Sequence, residues 1–168
     1  PPDLPEAQVP VPPPPSGPIR FGSFNHNRKF SDRALRLWGR ILQAIPASSL
    51  VLKATAPGDE ATLELLCKRM RRCGLDPHRV IWLPLVASNR DHLLQYGQID
   101  VALDCLPNGG CTTTCEALWM GVPVITLSGH TYVSRMSTAV LHGAGLQAWC
   151  ASSEDHYLQL ALQQADRL

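Results

Sequence analysis

Apolar positions along this chain alternate between two spacings. Six short runs read as buried strands: Pro18–Phe24, Ser49–Ala54, Arg79–Leu85, Val101–Leu106, Val122–Leu127 and Gln147–Cys150. Between them, apolar residues recur every three or four positions, the signature of helices with one buried face. Ala34, Leu35, Leu37, Trp38, Ile41, Leu42 and Ile45 make one such stripe, opened by a cap at Ser31 or Asp32 and ended by Pro46. After a turn at Ala56–Asp59, Glu60–Arg72 makes the next. Leu63, Leu66, Cys67 and Met70 face inward there, Lys68, Arg69, Arg71 and Arg72 form a solvated basic face, and Gly74 caps the end. Val86–His92 leads into a short helix ending near Gly97. Val133–His142 forms a further helix closed by Gly143 and Gly145, and Ser153 caps a last one.

Strands separated by helices, with connections of crossover length, predict a parallel sheet covered on both faces. The fold class is α/β, a doubly wound, Rossmann-like parallel sheet with right-handed crossovers. The stretch Val101–Leu127 organises it: strand, turn, helix, strand. Pro107-Asn108-Gly109-Gly110 is dense turn chemistry, and Gly109 and Gly110 are free to take positive φ. The hydroxyls of Thr112, Thr113 and Thr114 are expected to cap the helix that follows, and Gly121 stops it. A glycine-rich turn feeding a helix N-terminus at the carboxyl end of a parallel strand is an anion site, because free amides and the helix dipole point there together. Glu116 lies one turn further, where a carboxylate can accept from a ribose diol. An ordinary βαβ unit with a well-capped helix fits the same stretch. With strand order 3-2-1-4-5-6, the loops Asn25–Phe30 and Pro107–Thr113 flank the crevice where strand order reverses. One loop carries Lys29 and the other a helix N-terminus, which points to a nucleotide.

At 168 residues the chain has the length of one domain. Residues 1–16 are half proline and read as a linker favouring polyproline II, with a PxxP ligand at Pro12–Pro15 as the alternative; 17–168 form the folded lobe. A net charge of +1 carries no sign of a nucleic-acid or membrane partner, no apolar run is long enough to span a bilayer, and no secretory signal opens the chain. Six cysteines sit mostly inside helix and strand patterns without CxxC spacing, so they read as reduced, cytoplasmic thiols rather than as disulfides or a zinc site. The four tryptophans read as core and interlobe packing, with Trp119 pointing inward. The chain starts without Met and ends inside a helical pattern, so it is expected to be a piece of something longer.

Taken together, Phe21-Gly22-Ser23-Phe24-Asn25 with Lys29, and Asn108-Gly109-Gly110 followed by Thr112-Thr113-Thr114-Cys115-Glu116-Ala117-Leu118-Trp119-Met120-Gly121-Val122-Pro123, resemble the protein O-GlcNAc transferase family. These are tetratricopeptide-bearing, SPINDLY-like glycosyltransferases. The resemblance covers nearly everything after the linker, including Leu85–His92 and Ser134-Arg135. It implies the C-terminal, sugar-nucleotide-binding half of a two-Rossmann (GT-B) core. The implied reaction is transfer of N-acetylglucosamine from UDP to protein Ser or Thr hydroxyls with inversion, without a metal, through an acceptor groove on the missing N-terminal lobe. This lobe alone is therefore expected to be inactive. Lys29 is the implied catalytic residue, reaching the diphosphate. Thr112 and Thr113 hold the same phosphates, and Glu116 takes the ribose. Ala87, Asn89 and His92 read uracil and sugar, His92 by packing against the base, and His26 sits beside the lysine. Cys111 stands where better-known members carry histidine, Asn89 replaces a basic residue, and Glu116 replaces aspartate. GDP-fucose is the alternative donor, since SPINDLY-type relatives use it, and a nucleotide-binding module without turnover is the alternative class.

Overall fold

The computed structural model describes residues 17–53 and 60–166. The proline-rich linker, Ala54, the turn Ala56–Asp59 and the last two residues lie outside the described residues. Six strands form one sheet in the order β3-β2-β1-β4-β5-β6: β1 (Arg20–Ser23), β2 (Ser49–Lys53), β3 (Val80–Leu83), β4 (Val101–Leu103), β5 (Val124–Leu127) and β6 (Cys150–Ala151). Every pairing is parallel, and the order reverses between β1 and β4, where Phe21 stands opposite Val101. The connections carry α1 (Asp32–Ala44), α2 (Glu60–Arg72), α3 (Asn89–Leu94), α4 (Thr112–Trp119) and α5 (Met136–Gly143), and α6 (Glu154–Ala165) closes the lobe.

Side chains alternate across a strand, so each strand serves two cores. Phe21, Leu50, Leu52, Val101, Leu103 and Ile125 face α1, α2 and α6. Val51, Ala102 and Val124 face the opposite side, against Leu93 of α3, Ala117 of α4 and Leu141 of α5. Ser31 caps α1 by accepting from the Ala34 amide. At the other end Arg79 donates to the carbonyls of Leu42, Ile45 and Ser48, satisfying acceptors that the helix leaves open. Gly74 ends the α2 segment in the left-handed conformation, φ 77°.

Three expectations change. The fourth strand stops at Leu103, and beyond it the Asp104 amide still donates to Ile125 O of β5 (3.0 Å). Gln147–Trp149 is a 3₁₀ turn, which leaves Cys150–Ala151 as the sixth strand. Arg69 does not belong to a solvated face: its guanidinium donates to Asp32 (2.8 Å) and to the Phe30 carbonyl (2.8 Å), tying α2 to the start of α1.

What positions the crevice is a carboxylate inside the β4 run. Asp104 is buried, and Oδ1 accepts from the Cys105 amide (2.9 Å) and the Gly110 amide (2.7 Å) while Oδ2 accepts from the Thr126 hydroxyl of β5 (2.7 Å). The Asp104 carbonyl also accepts from the Tyr157 hydroxyl of α6 (3.1 Å). Contrary to expectation, neither Gly109 nor Gly110 has positive φ. Their requirement is close approach: a Cβ at Gly110 would sit 2.4 Å from Thr113 Oγ1, and one at Gly109 would sit 2.8 Å from Asp104 Oδ2. Asp104→Ala would orphan buried donors from three residues. We expect it to cost roughly 3 kcal/mol, read as a lower urea midpoint at unchanged slope; a loss below about 1 kcal/mol would contradict this role.

Candidate functional site: a cleft at the carboxyl edge of the sheet

The loop after β1 and the helix after the Asp104-held turn meet at the switch point. Asn25 is buried, and its Oδ1 accepts from Lys29 Nζ (3.2 Å) on its own loop and from Thr113 Oγ1 (3.2 Å) on α4. Lys29 also donates to the Gly109 carbonyl (3.0 Å). Among the described residues, no carboxylate lies within ion-pair distance of its ammonium. Three donors with two neutral acceptors leave one N–H and a full charge without a partner among the described residues. The expected polar loop around it is a short 3₁₀ turn, Asn27–Lys29, whose N-cap is His26, with Nδ1 accepting from the Arg28 amide (3.2 Å).

The N-terminus of α4 differs from the expectation. The threonine hydroxyls do not cap it: Thr113 turns to Asn25, and Thr114 pairs with Ser137 of α5 (2.8 Å). Cys111 occupies the N-cap without a side-chain hydrogen bond, and the first turn carries no acidic residue. The leading amides therefore keep their donors and the positive end of the helix dipole stays uncompensated. A capped terminus would have been a weaker anion site.

One turn on, Glu116 lies at the floor of the cleft. Its Oε2 is 3.0 Å from His92 Nε2 on α3 and 3.2 Å from the Tyr96 hydroxyl, which also lies 3.2 Å from the Thr113 carbonyl. Lys53, the last residue of β2, donates to the other ring nitrogen, Nδ1. An ammonium has no lone pair to accept with, so Lys53 is the donor to Nδ1, and the Nε2–H of the ring donates to Glu116. Burial pushes the Glu116 carboxyl up, but the hydrogen bond from His92, with those from Tyr96 and the charge of Lys53, holds it below the ordinary carboxylate value. Burial, together with that carboxylate, drives the Tyr96 phenol well above its ordinary value.

Two chambers share His92 and Glu116 in their walls. One, of about 510 Å³, is lined by Asn89, Leu93, Thr112, Cys115 and Trp119. The other, of about 340 Å³, is bounded by Phe24, His26, Val86, Ser88, Asn89 and Lys53. His26, Asn89, His92, Thr112 and Glu116 line these chambers, while Lys29 and Thr113 line neither and meet at Asn25, a wall of the second. Ala87 and Cys111 are exposed at its rim and line neither chamber. Trp119 was expected inward; it is 51% exposed and forms a chamber wall, because Thr114 and Ala117 occupy the buried side of α4. Lys53, Tyr96 and Asp104 were not anticipated. The readable signal for Lys53 and Asp104 is a charged residue inside an otherwise apolar strand run.

The model of glycosyl transferase family 41 matches residues 13–167. A Petunia hybrida protein named probable UDP-N-acetylglucosamine–peptide N-acetylglucosaminyltransferase SPINDLY is 39% identical over 159 residues, 93% of this chain and 17% of the relative. A Caenorhabditis elegans UDP-N-acetylglucosamine–peptide N-acetylglucosaminyltransferase is 30% identical over 150 residues, 89% of this chain and 13% of its own length. Among solved structures, a mutant of the Thermobaculum terrenum O-GlcNAc transferase superposes with a TM-score of 0.86 at 37% identity, over 96% of this chain and 31% of that one. The chain spans under a fifth of the length of these sequence relatives. A match over nearly the whole chain, on the same doubly wound sheet, settles the family: this chain belongs to glycosyl transferase family 41.

Proposed function

We propose that this chain is the donor-binding lobe of an inverting glycosyltransferase that transfers N-acetylglucosamine from UDP to Ser or Thr hydroxyls of protein acceptors. The observation that carries it is the pairing, on one turn, of an uncapped α4 N-terminus with the Lys29 ammonium held at Gly109 O (3.0 Å). A diphosphate accepts from the amides of Thr112 and Thr113, and Lys29 supplies the cation. Glu116, one turn along α4, takes the ribose diol, and His92 flanks the base. Asn89 and His26 contribute polar walls, while Ala87 and Cys111 act from the rim. The names of the relatives favour UDP-N-acetylglucosamine over GDP-fucose. In this reading the acceptor groove belongs to a further lobe, so the 168-residue chain binds donor without turning it over. No metal or cofactor takes part; Lys29 and the helix terminus carry the positive charge. A cytoplasmic setting suits six cysteines that all remain free thiols. Among the described residues no helix is long and apolar enough to cross a membrane.

The chemistry follows from where charge develops. As the glycosidic bond breaks, negative charge grows on the departing phosphate oxygen. Amides and an ammonium fixed beforehand stabilise that charge more than they stabilise the ground state.

Two outcomes test this. Calorimetry on the 168-residue chain is expected to show UDP binding well above uridine; equal affinities would mean that Lys29, Thr112 and Thr113 form no phosphate site. In the complete enzyme, Lys29→Ala is expected to reduce kcat by about a hundred- to a thousandfold, ~3–4 kcal/mol, while weakening donor binding only modestly. Lys29→Arg restores part of this, since a planar fork replaces a compact point charge. A near-normal kcat with collapsed donor affinity would make Lys29 a docking residue instead.

A further inference from the structure

Nothing in the donor reading uses Lys53. It is only 8% exposed, yet among the described residues no carboxylate pairs with its ammonium. Its one hydrogen bond among those residues goes to His92 Nδ1, and its charge lies 5.4 Å from the centre of the Phe24 ring. Burial pulls its pKa below the ordinary lysine value, and the charge of Glu116 offsets this only in part. Fixing the tautomer of His92 needs a single donor, which a neutral side chain supplies without burying a charge. An ammonium brings two more donors and no acceptor, and leaving them unmatched in a buried place is costly. Those donors border the second chamber, whose other walls include Asn25, His26, Ser88 and Asn89.

The order of groups along the cleft says what reaches them. Starting from the donor reading, on which this inference rests, the phosphate pole is at Thr112 and the ribose carboxylate one turn later at Glu116. His92 then bridges Glu116 through Nε2 (3.0 Å) and Lys53 through Nδ1, so Lys53 stands on the far side of the imidazole from the phosphates. A nucleoside diphosphate laid along this line brings its base to the Lys53 chamber. We propose that Lys53 is a specificity residue that reads the base: anchored on His92, its ammonium donates to an exocyclic carbonyl oxygen of a keto base. Uracil and guanine both present such an oxygen. Cytosine and adenine present an amino group at the equivalent position, which sets donor against donor and leaves the ammonium unpaired.

Calorimetry with UDP, GDP, CDP and ADP on the 168-residue chain tests this. Each keto nucleotide is expected to bind roughly 10- to 100-fold tighter than its amino counterpart, UDP over CDP and GDP over ADP. The UDP and GDP arms then show which keto base fits. Lys53→Met is expected to bring both ratios close to one by weakening the keto nucleotides, with Tm unchanged or raised because a buried charge has gone. Lys53→Gln, whose amide can turn to donate or to accept, lowers the ratios part of the way. Ratios near one in the unaltered chain, or ratios unchanged in both variants, overturn the proposal. So does an equal loss of all four nucleotides with a lowered Tm, which would make Lys53 purely structural. If UDP still exceeds uridine while the keto preference is missing, the donor reading stands and only base reading by Lys53 fails. If diphosphates bind no better than nucleosides, the donor reading falls and this inference with it.

Discussion

The cleft depends on one buried carboxylate. Asp104 follows β4 directly and turns its two oxygens to different neighbours, one to the Gly110 amide of the turn and one to the Thr126 hydroxyl of β5. A charge buried to 2% exposure is tolerable only when hydrogen-bonded on both oxygens, and here it is. The consequence runs outward. With Gly110 fixed, the chain enters α4 so closely that a Cβ there would strike Thr113, and Thr113 is free to meet Asn25 across the switch point. Asn25 in turn steadies Lys29. The proposed anion site is therefore assembled from two loops by contacts that begin at a residue with no part in the proposed chemistry.

Electrostatically the cleft is two-ended. At one end, a helix terminus without a cap and an ammonium bound only to neutral oxygens leave positive potential unmatched. At the other, Lys53 and Glu116 stand at the two ends of a hydrogen-bonded chain through His92, with Tyr96 closing it back onto the first turn of α4 through Thr113 O. Unmatched charge suits a ligand that carries its own counter-charge, and a chain with donors to spare at Lys53 suits a ligand read by hydrogen bonds. A sugar nucleotide has both needs.

Much of this was legible because hydrophobic periodicity encodes burial directly. The strands and both flanking loops are readable from the alternation of short apolar runs with helical stripes, the order 3-2-1-4-5-6 was supposed from the doubly wound fold and is the order observed, and α2 runs from Glu60 to Arg72 as its stripe predicts. What failed was local hydrogen bonding. Threonines at a helix start can cap, but Thr113 and Thr114 have tertiary partners that sequence spacing does not reveal. Glycines in a turn suggest positive φ, yet Gly109 and Gly110 serve close packing instead. Trp119 looked like core because tryptophan usually is; its helix had smaller residues already filling that side. Lys53 and Asp104 were passed over as members of apolar runs. A charge inside such a run is itself the signal, since burial without a function or a partner would be too costly to keep.

The central claim is that the first turn of α4 and the Lys29 ammonium together receive a diphosphate. The most direct measurement is a crystal structure of the chain grown with UDP. The account predicts phosphate oxygens within hydrogen-bond distance of the Thr112 and Thr113 amides, with Lys29 Nζ in contact with the same group. A diphosphate seated elsewhere, with α4 left to solvent and Lys29 untouched on Gly109 O, would contradict it.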